Sequence, residues 1–327
     1  MLNEILISLP QTLVDGLALG AIYAVVALGY TMVYGILELI NFAHGEIFMT
    51  GAFVGVAVLF TLDSLGLGDL NRWIALLLAL LISMLLTGLM GVGIERLAYR
   101  PLRNAPRLIP LISAIGISFL LQDLIRFIAE MKRGNYIVTG KTLFDERITL
   151  PFSSLAPTLG NAVFKESLLI MIGVAIIMMF ALDIFVNKTR WGTAMRAVAQ
   201  DRETASLMTI NVNKVIAITF FVGSALGGAT GVLFAQQYGT IDPYIGFILG
   251  LKAFTAAVLG GIGNIRGAMF GGIVLGLLEM LAATNLGILT GGAFGAEYKD
   301  VIAFAILILV LLFKPEGLFG KPVKEKV

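Results

Sequence analysis

The sequence predicts an all-α fold, a polytopic transmembrane helical bundle. Of its 327 residues, 58% are hydrophobic and 13% are charged, whereas soluble domains average about 25% charged residues. Apolar runs of about 20 residues recur along the chain, and each is long enough to cross roughly 30 Å of hydrocarbon as a helix. The 38 glycines suit helices that approach one another closely in lipid. The expected environment is therefore a lipid bilayer.

Nine apolar runs follow one another, and we expect about eight to ten spans within a single transmembrane domain covering residues 1–327. Two of the runs are short and interrupted by glycine, which is typical of broken or re-entrant helices. The runs occupy residues 10–34, 46–62, 73–95, 108–130, 167–186, 214–235, 246–263, 267–283 and 299–313.

The positions of Lys and Arg predict the orientation, because short loops rich in these residues face the cytoplasm. The loop 96–107 carries Arg96, Arg100, Arg103 and Arg107 and no acidic residue. With nine spans, the segment 187–213 and the tail 314–327 fall on the same, cytoplasmic side. The N-terminus and the loop 131–166 are then expected on the periplasmic side.

A polar, charged segment at 187–214 separates the fifth apolar run from the sixth. Its middle part, 193–209, contains no Pro or Gly and alternates charged residues with Ala, Leu and Met, a pattern that favours a helix. A protein that only passes solute needs no such surface element, whereas one driven by a soluble partner does. We therefore predict a cytoplasmic coupling loop whose helix, residues 196–210, moves as a rigid lever under separate ATPase subunits.

Several kinds of chemistry have no support in the sequence. The chain has no Cys and one His, so neither a thiol nucleophile nor a His-rich metal centre is expected. The stretch GNYIVTGKT at 134–142 resembles a phosphate loop, but five residues separate its glycines where the motif has four. The cations lie in loops and form no basic stripe for nucleic acid. We expect no catalytic residues and no bound cofactor, with ATP used by partner subunits.

Ionisable residues inside spans are functional candidates, because a charge within the bilayer is costly. Lys252 and Glu279 lie at similar depth in the seventh and eighth runs. This placement predicts an intramembrane ion pair, for which a structural role is favoured over contact with substrate.

Five stretches of the chain together resemble one protein family. They are YTMVYG at 30–35, INFAHGE at 40–46, IERLAYRP at 94–101, LISAIG at 111–116 and KAFTAAVLGGIG at 252–263. With these motifs, the chain resembles the inner-membrane permeases of bacterial high-affinity branched-chain amino acid ABC importers, the LivH type. The likeness extends from about residue 10 to about residue 320.

The resemblance implies a multi-pass protein of the bacterial inner membrane that works in a complex. Its partners would be a second homologous permease subunit, two ABC ATPase subunits and a periplasmic substrate-binding protein that delivers leucine, isoleucine or valine. Urea and short-chain amide importers use similar permeases, so these substrates and other amino acids remain alternatives.

In that family the loop matching residues 197–210 contacts the ATPase. On this basis we expect the apolar side chains of Leu207, Met208 and Ile210 to fill a groove in the partner, with charged side chains on its rim. The rim residues are Arg196, Arg202 and Glu203, and the chain keeps Asp201 and Ala205 of the family pattern. Thr209 stands where the family usually has Gly, and Thr adopts the left-handed conformation of a helix stop less readily.

A translocation path for a zwitterion with an aliphatic side chain needs a few hydrogen-bonding groups among apolar neighbours. Asn41, Ser113 and Thr255 are the candidates for its wall. His44 stands beside Glu46 at a polar break, where we favour capping or packing, with a gating role on the path as the alternative.

Two other classes of protein are weighed against this interpretation. An ion-coupled secondary carrier would place carboxylates around a site at the membrane midplane, but those of this chain lie mostly near span ends. An intramembrane enzyme would need a nucleophile and a base, for which no set stands out, and a membrane scaffold would show no ATPase partners.

Overall fold

The computed structural model describes residues 2–37, 39–68, 70–103, 105–106, 108–154 and 158–320. The predicted orientation also depended on Arg107 and on the tail 314–327. Outside the described residues lie Arg107, Lys321, Lys324 and Lys326. The described residues form α1 (Leu2–Leu37), α2 (His44–Ser64), α3 (Arg72–Ile94), α4 (Leu108–Arg133), α5 (Glu166–Lys188), α6 (Arg190–Gln200), α7 (Arg202–Leu207), α8 (Val212–Tyr238), α9 (Ile245–Gly260), α10 (Ile265–Leu289) and α11 (Lys299–Phe313). There are also four short strands: β1 (Val138–Thr139), β2 (Arg147–Leu150), β3 (Ala162–Lys165) and β4 (Thr240–Ile241). A π-helical turn (Glu95–Tyr99) follows α3, and short 3-10 turns occupy Arg100–Leu102, Phe152–Ser154 and Ala296–Tyr298.

The predicted helical bundle is confirmed, and α1 and α8 form its centre. Residues 20–33 of α1 are buried without exception. α1 packs along α10, α8 and α9, while α8 also packs against α2 and α3. Small residues make these contacts close: a methyl group at Gly272 would lie 2.3 Å from the backbone nitrogen of Ala24. The many glycines thus allow backbone-to-backbone packing between the central helices.

The outer helices turn apolar faces outward. On α3, the side chains of Leu77, Leu81, Leu85 and Leu89 recur every fourth residue and are each more than half exposed. An apolar stripe of this length suits lipid and not water. Within the described residues, seven helices are long and apolar enough to cross a membrane, and α9 is a shorter apolar helix of 16 residues.

Each of the nine apolar runs forms one helix, but α2 and α9 begin inside the bundle. The ring of His44, the first residue of α2, lies against Gly29 of α1. Gly29 precedes the end of α1 by eight residues, which is about 12 Å along the helix axis. At the start of α9, a methyl group on Gly45 would lie 2.2 Å from the carbonyl oxygen of Gly246. The two helix N-termini therefore meet in the interior, the arrangement of broken helices.

One end of the bundle, here called the sheet end, carries the four strands. β2 pairs with β3 and β1 pairs with β4, both antiparallel. The segment 131–166 is therefore not a plain loop. Gly239 ends α8 with φ 73°, a backbone angle that glycine adopts readily, and the chain turns there into β4.

The opposite end, here called the basic end, brings together segments that the charge pattern predicted on one side. Arg103, from the loop after α3, donates a hydrogen bond of 2.6 Å to Asn213 at the start of α8. It also pairs with buried Glu95. The amide of Leu318 donates to the carbonyl of Leu259 at 2.8 Å, so the chain after α11 returns to this end as well.

The close crossing of α1 and α10 predicts opposite effects for two Gly→Ala substitutions. Gly272→Ala would place a methyl group against the α1 backbone and should destabilise the fold by about 1–3 kcal/mol. Gly116→Ala on α4 meets open space and should be neutral or stabilise by up to about 1 kcal/mol, because Ala is the better helix former. Apparent melting temperatures of the purified protein in detergent test this, and equal shifts would contradict the assigned packing.

Candidate coupling and translocation sites

The predicted coupling segment consists of two helices and not of one. α6 ends at Gln200, α7 begins at Arg202, and Asp201 between them has an extended backbone with φ −158°. The Asp201 carboxylate accepts hydrogen bonds from the amides of Glu203 and Thr204 at 2.9 and 3.2 Å, which caps α7. The prediction of one rigid helix over 196–210 was wrong because the Asp side chain competes for backbone donors and so favours a helix start.

Two arginines of the segment bind the bundle. Arg202 is half-buried and donates a hydrogen bond of 2.8 Å to the carbonyl of Ile36 near the end of α1. Arg196 donates to the carbonyl of Val186 in α5 and, at 3.3 Å, to the hydroxyl of Thr193. Both side chains therefore join the segment to membrane-crossing helices. Glu203 is exposed.

The tip of the segment is apolar and faces away from the bundle. Leu207 is 82% exposed and Met208 is 70% exposed. Ala205 is buried and Ile210 is partly buried, so these two residues hold the inner side of the segment against the bundle. Thr209 takes the left-handed conformation with φ 63°, so the helix stop is kept although Thr replaces the Gly that this conformation favours.

A recess of about 380 Å³ lies beside the break between α6 and α7. Its wall combines the end of α1, the basic loop and the break, and includes Leu37, Leu39, Arg103, Gln200 and Asp201. The basic end thus presents an exposed apolar tip and a polar recess. Protein interfaces combine these two kinds of surface, an apolar centre and a polar surround.

Two of the predicted path residues lie where α2 and α9 meet. Asn41 is buried, and its side-chain oxygen accepts a hydrogen bond of 2.9 Å from the Tyr99 hydroxyl. The buried ring of His44 meets the Tyr30 ring edge-on, with centroids 4.9 Å apart. Phe254 of α9 contacts the same region, since its ring centroid lies 6.1 Å from that of Tyr30. The packing role favoured for His44 agrees with this placement.

The other two candidates are placed differently. Thr255 is fully buried, and its hydroxyl donates to the carbonyl of Leu251 in its own helix at 2.9 Å. Ser113 is half-buried on α4, and no hydrogen bond joins it to Asn41, His44 or Thr255 among the described residues. The structure therefore brings Asn41 and His44 into one region, whereas Thr255 bonds within its own helix α9 and Ser113 lies on α4.

Sequence reasoning missed a polar contact between α2 and α4. Glu46 is fully buried, and its Oε1 accepts hydrogen bonds from Ser118 at 2.9 Å and from Gln122 at 2.8 Å. The two donors are four residues apart and therefore share one face of α4. That spacing was the signal available in the sequence, but nothing in the sequence pointed to α2 as the partner helix.

Lys252 and Glu279 form a buried network at the sheet end. Lys252 Nζ lies 2.7 Å from Glu279 Oε1 and 2.6 Å from Asp300 Oδ1. Glu279 also accepts a hydrogen bond of 2.7 Å from the Tyr23 hydroxyl. Lys299 Nζ lies 3.8 Å from Glu279, beyond hydrogen-bond range. The network joins α1, α9, α10 and α11, of which the sequence predicted only the α9–α10 pair.

Comparison with known proteins identifies a matching family and close relatives. Residues 12–311 match the family described as "Branched-chain amino acid transport system / permease component". The chain is 44% identical over 319 residues to the high-affinity branched-chain amino acid transport system permease protein BraD of Pseudomonas aeruginosa, with 97% of each chain covered. It is 43% identical over 321 residues to LivH of Escherichia coli K12, a permease protein of the same description, again with 97% of each chain covered.

The chain also shows similarity to one solved structure, titled "PsaBC from Streptococcus pneumoniae in complex with Fab". The match has 14% sequence identity and a TM-score of 0.48, and it covers 97% of each chain.

The buried network predicts unequal effects for two Lys→Met substitutions. Lys252→Met leaves the buried Glu279 carboxylate without its cation and should destabilise the protein by about 3–5 kcal/mol. Lys141→Met removes a half-exposed pair with Asp63 at the same end and should cost at most about 1 kcal/mol. Unfolding of both variants in mixed detergent measures the difference. If the double variant Lys252→Met/Glu279→Leu regains stability, the stability lost in Lys252→Met is due to the unpaired Glu279 carboxylate.

Proposed function

This chain belongs to the family of permease components of branched-chain amino acid transport systems, and we infer that it is the membrane-spanning permease of an ATP-driven importer for these amino acids. It forms part of the translocation path and couples to ATPase subunits that are separate chains. Its substrates are branched-chain amino acids, the class that the names of its relatives state for those proteins.

The observation that carries the coupling role is the exposed apolar tip at Leu207 and Met208. Exposed pairs of large apolar side chains on an otherwise polar surface mark contacts with a partner. The tip lies at the end of the short helix α7. The Asp201 side chain caps the start of this helix, and the buried side chain of Ala205 packs it against the bundle. Such a tip fits the apolar groove of an ATPase subunit, with Glu203 at its edge.

The anchoring of the segment supplies a route for mechanical coupling. Arg202 joins it to α1, Arg196 joins it to α5, and the Asn211 side chain caps α8 by accepting a hydrogen bond of 3.0 Å from the amide of Lys214. A movement of the partner therefore reaches three membrane-crossing helices. Work is done if the partner with bound ATP binds one arrangement of these helices more tightly than the other.

The complex has the composition that the family implies. A second homologous permease packs against this one, two ABC ATPase subunits dock at the basic end, and a periplasmic binding protein delivers substrate at the sheet end. The basic end therefore faces the cytoplasm of a bacterial cell, and the sheet end together with the N-terminus faces the periplasm. Both the arginines near this end and the apolar tip favour that orientation.

The crossing of α2 and α9 is the narrow part of the path. Asn41 and His44 lie there, among aromatic side chains, and we assign the buried Thr255 of α9 to the wall as well. Ser113 stands on the neighbouring helix α4 and contributes a hydroxyl further along the wall. We assign the gate to this crossing because two helix N-termini that meet can separate without breaking a continuous helix.

The coupling role predicts that Leu207→Glu abolishes ATP-driven leucine uptake while membrane insertion stays normal. A charge on the apolar tip would be buried in the partner groove, and loss of a central apolar anchor typically weakens binding by about 30-fold or more. Uptake and ATP hydrolysis are measured in proteoliposomes that contain the complete complex. Leu207→Met, which keeps the apolar tip, is the matched control. Normal uptake by Leu207→Glu would refute the assignment.

The proposed orientation predicts the accessibility of introduced cysteines, and the natural chain has none. A membrane-impermeant maleimide should label Ser154→Cys, near β2, in intact cells. It should label Ser206→Cys, on α7, only after the membrane has been permeabilised. Both serines are exposed, so burial does not bias the comparison. The reverse labelling pattern would overturn the orientation and, with it, the docking of an ATPase at α7.

A further inference from the structure

A cavity of about 580 Å³ opens at the sheet end between α1, α5, α8, α9, α10 and the start of α11. Its size falls within the range of about 300–1,000 Å³ that is usual for small-molecule sites. The apolar part of its wall comes from Leu19, Leu168, Phe234, Ile248, Leu249 and Met280. Charged side chains line the rest of it: Asp15, Lys252, Glu279 and Lys299.

Two of these charged residues, Lys252 and Glu279, are already paired with other side chains, and we call them the floor of the cavity. Lys252 is held between Glu279 and Asp300, and Glu279 also accepts a hydrogen bond from Tyr23. Lys252 and Glu279 are both almost fully buried, so the cost of placing them in the bundle is offset by these mutual bonds. The floor closes one side of the cavity, but its charged groups already have partners and leave few hydrogen-bonding positions for a ligand.

The other two charged residues keep bonding capacity. Asp15 is half-buried and accepts one hydrogen bond, of 2.9 Å, from Gln11 Nε2 to its Oδ2. Lys299 Nζ lies 3.8 Å from Glu279 and donates no hydrogen bond among the described residues. The carboxylate of Asp15 and the ammonium group of Lys299 therefore line one largely apolar cavity. Each can bind a ligand group of opposite charge.

A second, more polar cavity of about 390 Å³ adjoins the first and shares Asp15, Leu168 and Gln237 with it. Its remaining wall is formed by β2 and β3 and carries the cations Arg147 and Lys165. Gln11 ties the two regions together, because it bonds Asp15 on one side and accepts a hydrogen bond of 2.7 Å from the amide of Val163 in β3 on the other. Because the two cavities share these wall residues, they adjoin one another between the strands and the floor at Lys252.

From this geometry we propose that the cavity is an intake site for a free α-amino acid with an aliphatic side chain. The ammonium group binds Asp15, the carboxylate binds Lys299, and the side chain lies against the apolar wall. Charge-assisted bonds of this kind are roughly twice as strong as neutral ones. Arg147 and Lys165 of the second cavity attract the carboxylate first, so the ligand enters with this end leading.

This inference rests on the proposed function and adds a place on this chain where the substrate is held after its release from the binding protein. The cavity lies at the sheet end, which the proposed orientation places on the periplasmic side, so it can take up substrate from that side while the crossing of α2 and α9 is closed. The site therefore precedes the gate in the order of transport.

The test uses the complete complex in proteoliposomes with a photoreactive diazirine analogue of leucine as the probe. In the natural complex, we expect the probe to label peptides of α1, α9 or α10 that line the cavity, and we expect excess leucine to suppress this labelling. Asp15→Asn and Lys299→Gln should each reduce both labelling and ATP-driven leucine uptake about tenfold or more. Asp63→Asn and Lys141→Gln, which neutralise a pair outside both cavities, should change neither.

The outcomes separate the two proposals. If the natural complex takes up leucine and the variants Asp15→Asn and Lys299→Gln label and transport normally, the intake site is wrong and the proposed function stands. Labelling confined to peptides outside the cavity has the same meaning. If the natural complex takes up no leucine although its ATPase subunits are active, the proposed function fails and the intake site fails with it. Lys299 is partly exposed at the start of α11, so Lys299→Gln tests the site even if Asp15→Asn does not fold.

Discussion

The contact between Gly45 and Gly246 is the constraint on which the interior of this protein depends. A methyl group at Gly45 would lie 2.2 Å from the Gly246 carbonyl oxygen, and one at Gly250 would lie 2.9 Å from the Cα of Gly45. The N-termini of α2 and α9 can therefore meet only as bare backbone. Their meeting buries His44 and Glu46 and orients α9 so that Lys252 faces Glu279. This pair of glycines thus sets the positions of His44, Glu46 and Lys252 in the interior.

The buried polar groups show how the bundle satisfies charge without water. Glu46 receives two neutral donors from α4, whereas Glu279 receives a lysine and a tyrosine hydroxyl. In lipid an unpaired polar group costs several kcal/mol, so each of these contacts fixes the register of the helices that it joins. The α2–α4 contact secures the middle of the bundle, and the α9–α10 contact secures the sheet end. Between them lies the crossing to which we assign the gate.

The two ends of the molecule serve different purposes through the same central helices. At the basic end, Arg202 bonds the carbonyl of Ile36 on α1. At the sheet end, Asp15 of α1 lines the cavity assigned to the substrate. One helix of 36 residues therefore runs from the proposed partner contact to the proposed intake site. Because packed helices shift between discrete arrangements, we expect displacement of α1 at one end to change the cavity at the other.

The sequence by itself determined the class of the protein, the helices and the distribution of charge. Hydrophobic runs in lipid leave the backbone few choices other than a helix, so nine runs became nine helices. The Lys252–Glu279 pairing was also readable, because two opposite charges at equal depth have few other partners. The break at Asp201 was missed, since an aspartate within a helical pattern reads as exposed helix surface until its cap contacts are seen.

The depth at which α2 and α9 begin, the helix that faces Glu46, and the cavity shared by Asp15 and Lys299 became known from the packed bundle. Each of these features is a contact between residues far apart in the chain. Helical periodicity records which face of a helix is apolar or polar, but not which neighbour that face meets. Backbone approach at glycine and the closing of a cavity by six helices are properties of the packed bundle, and no local pattern encodes them.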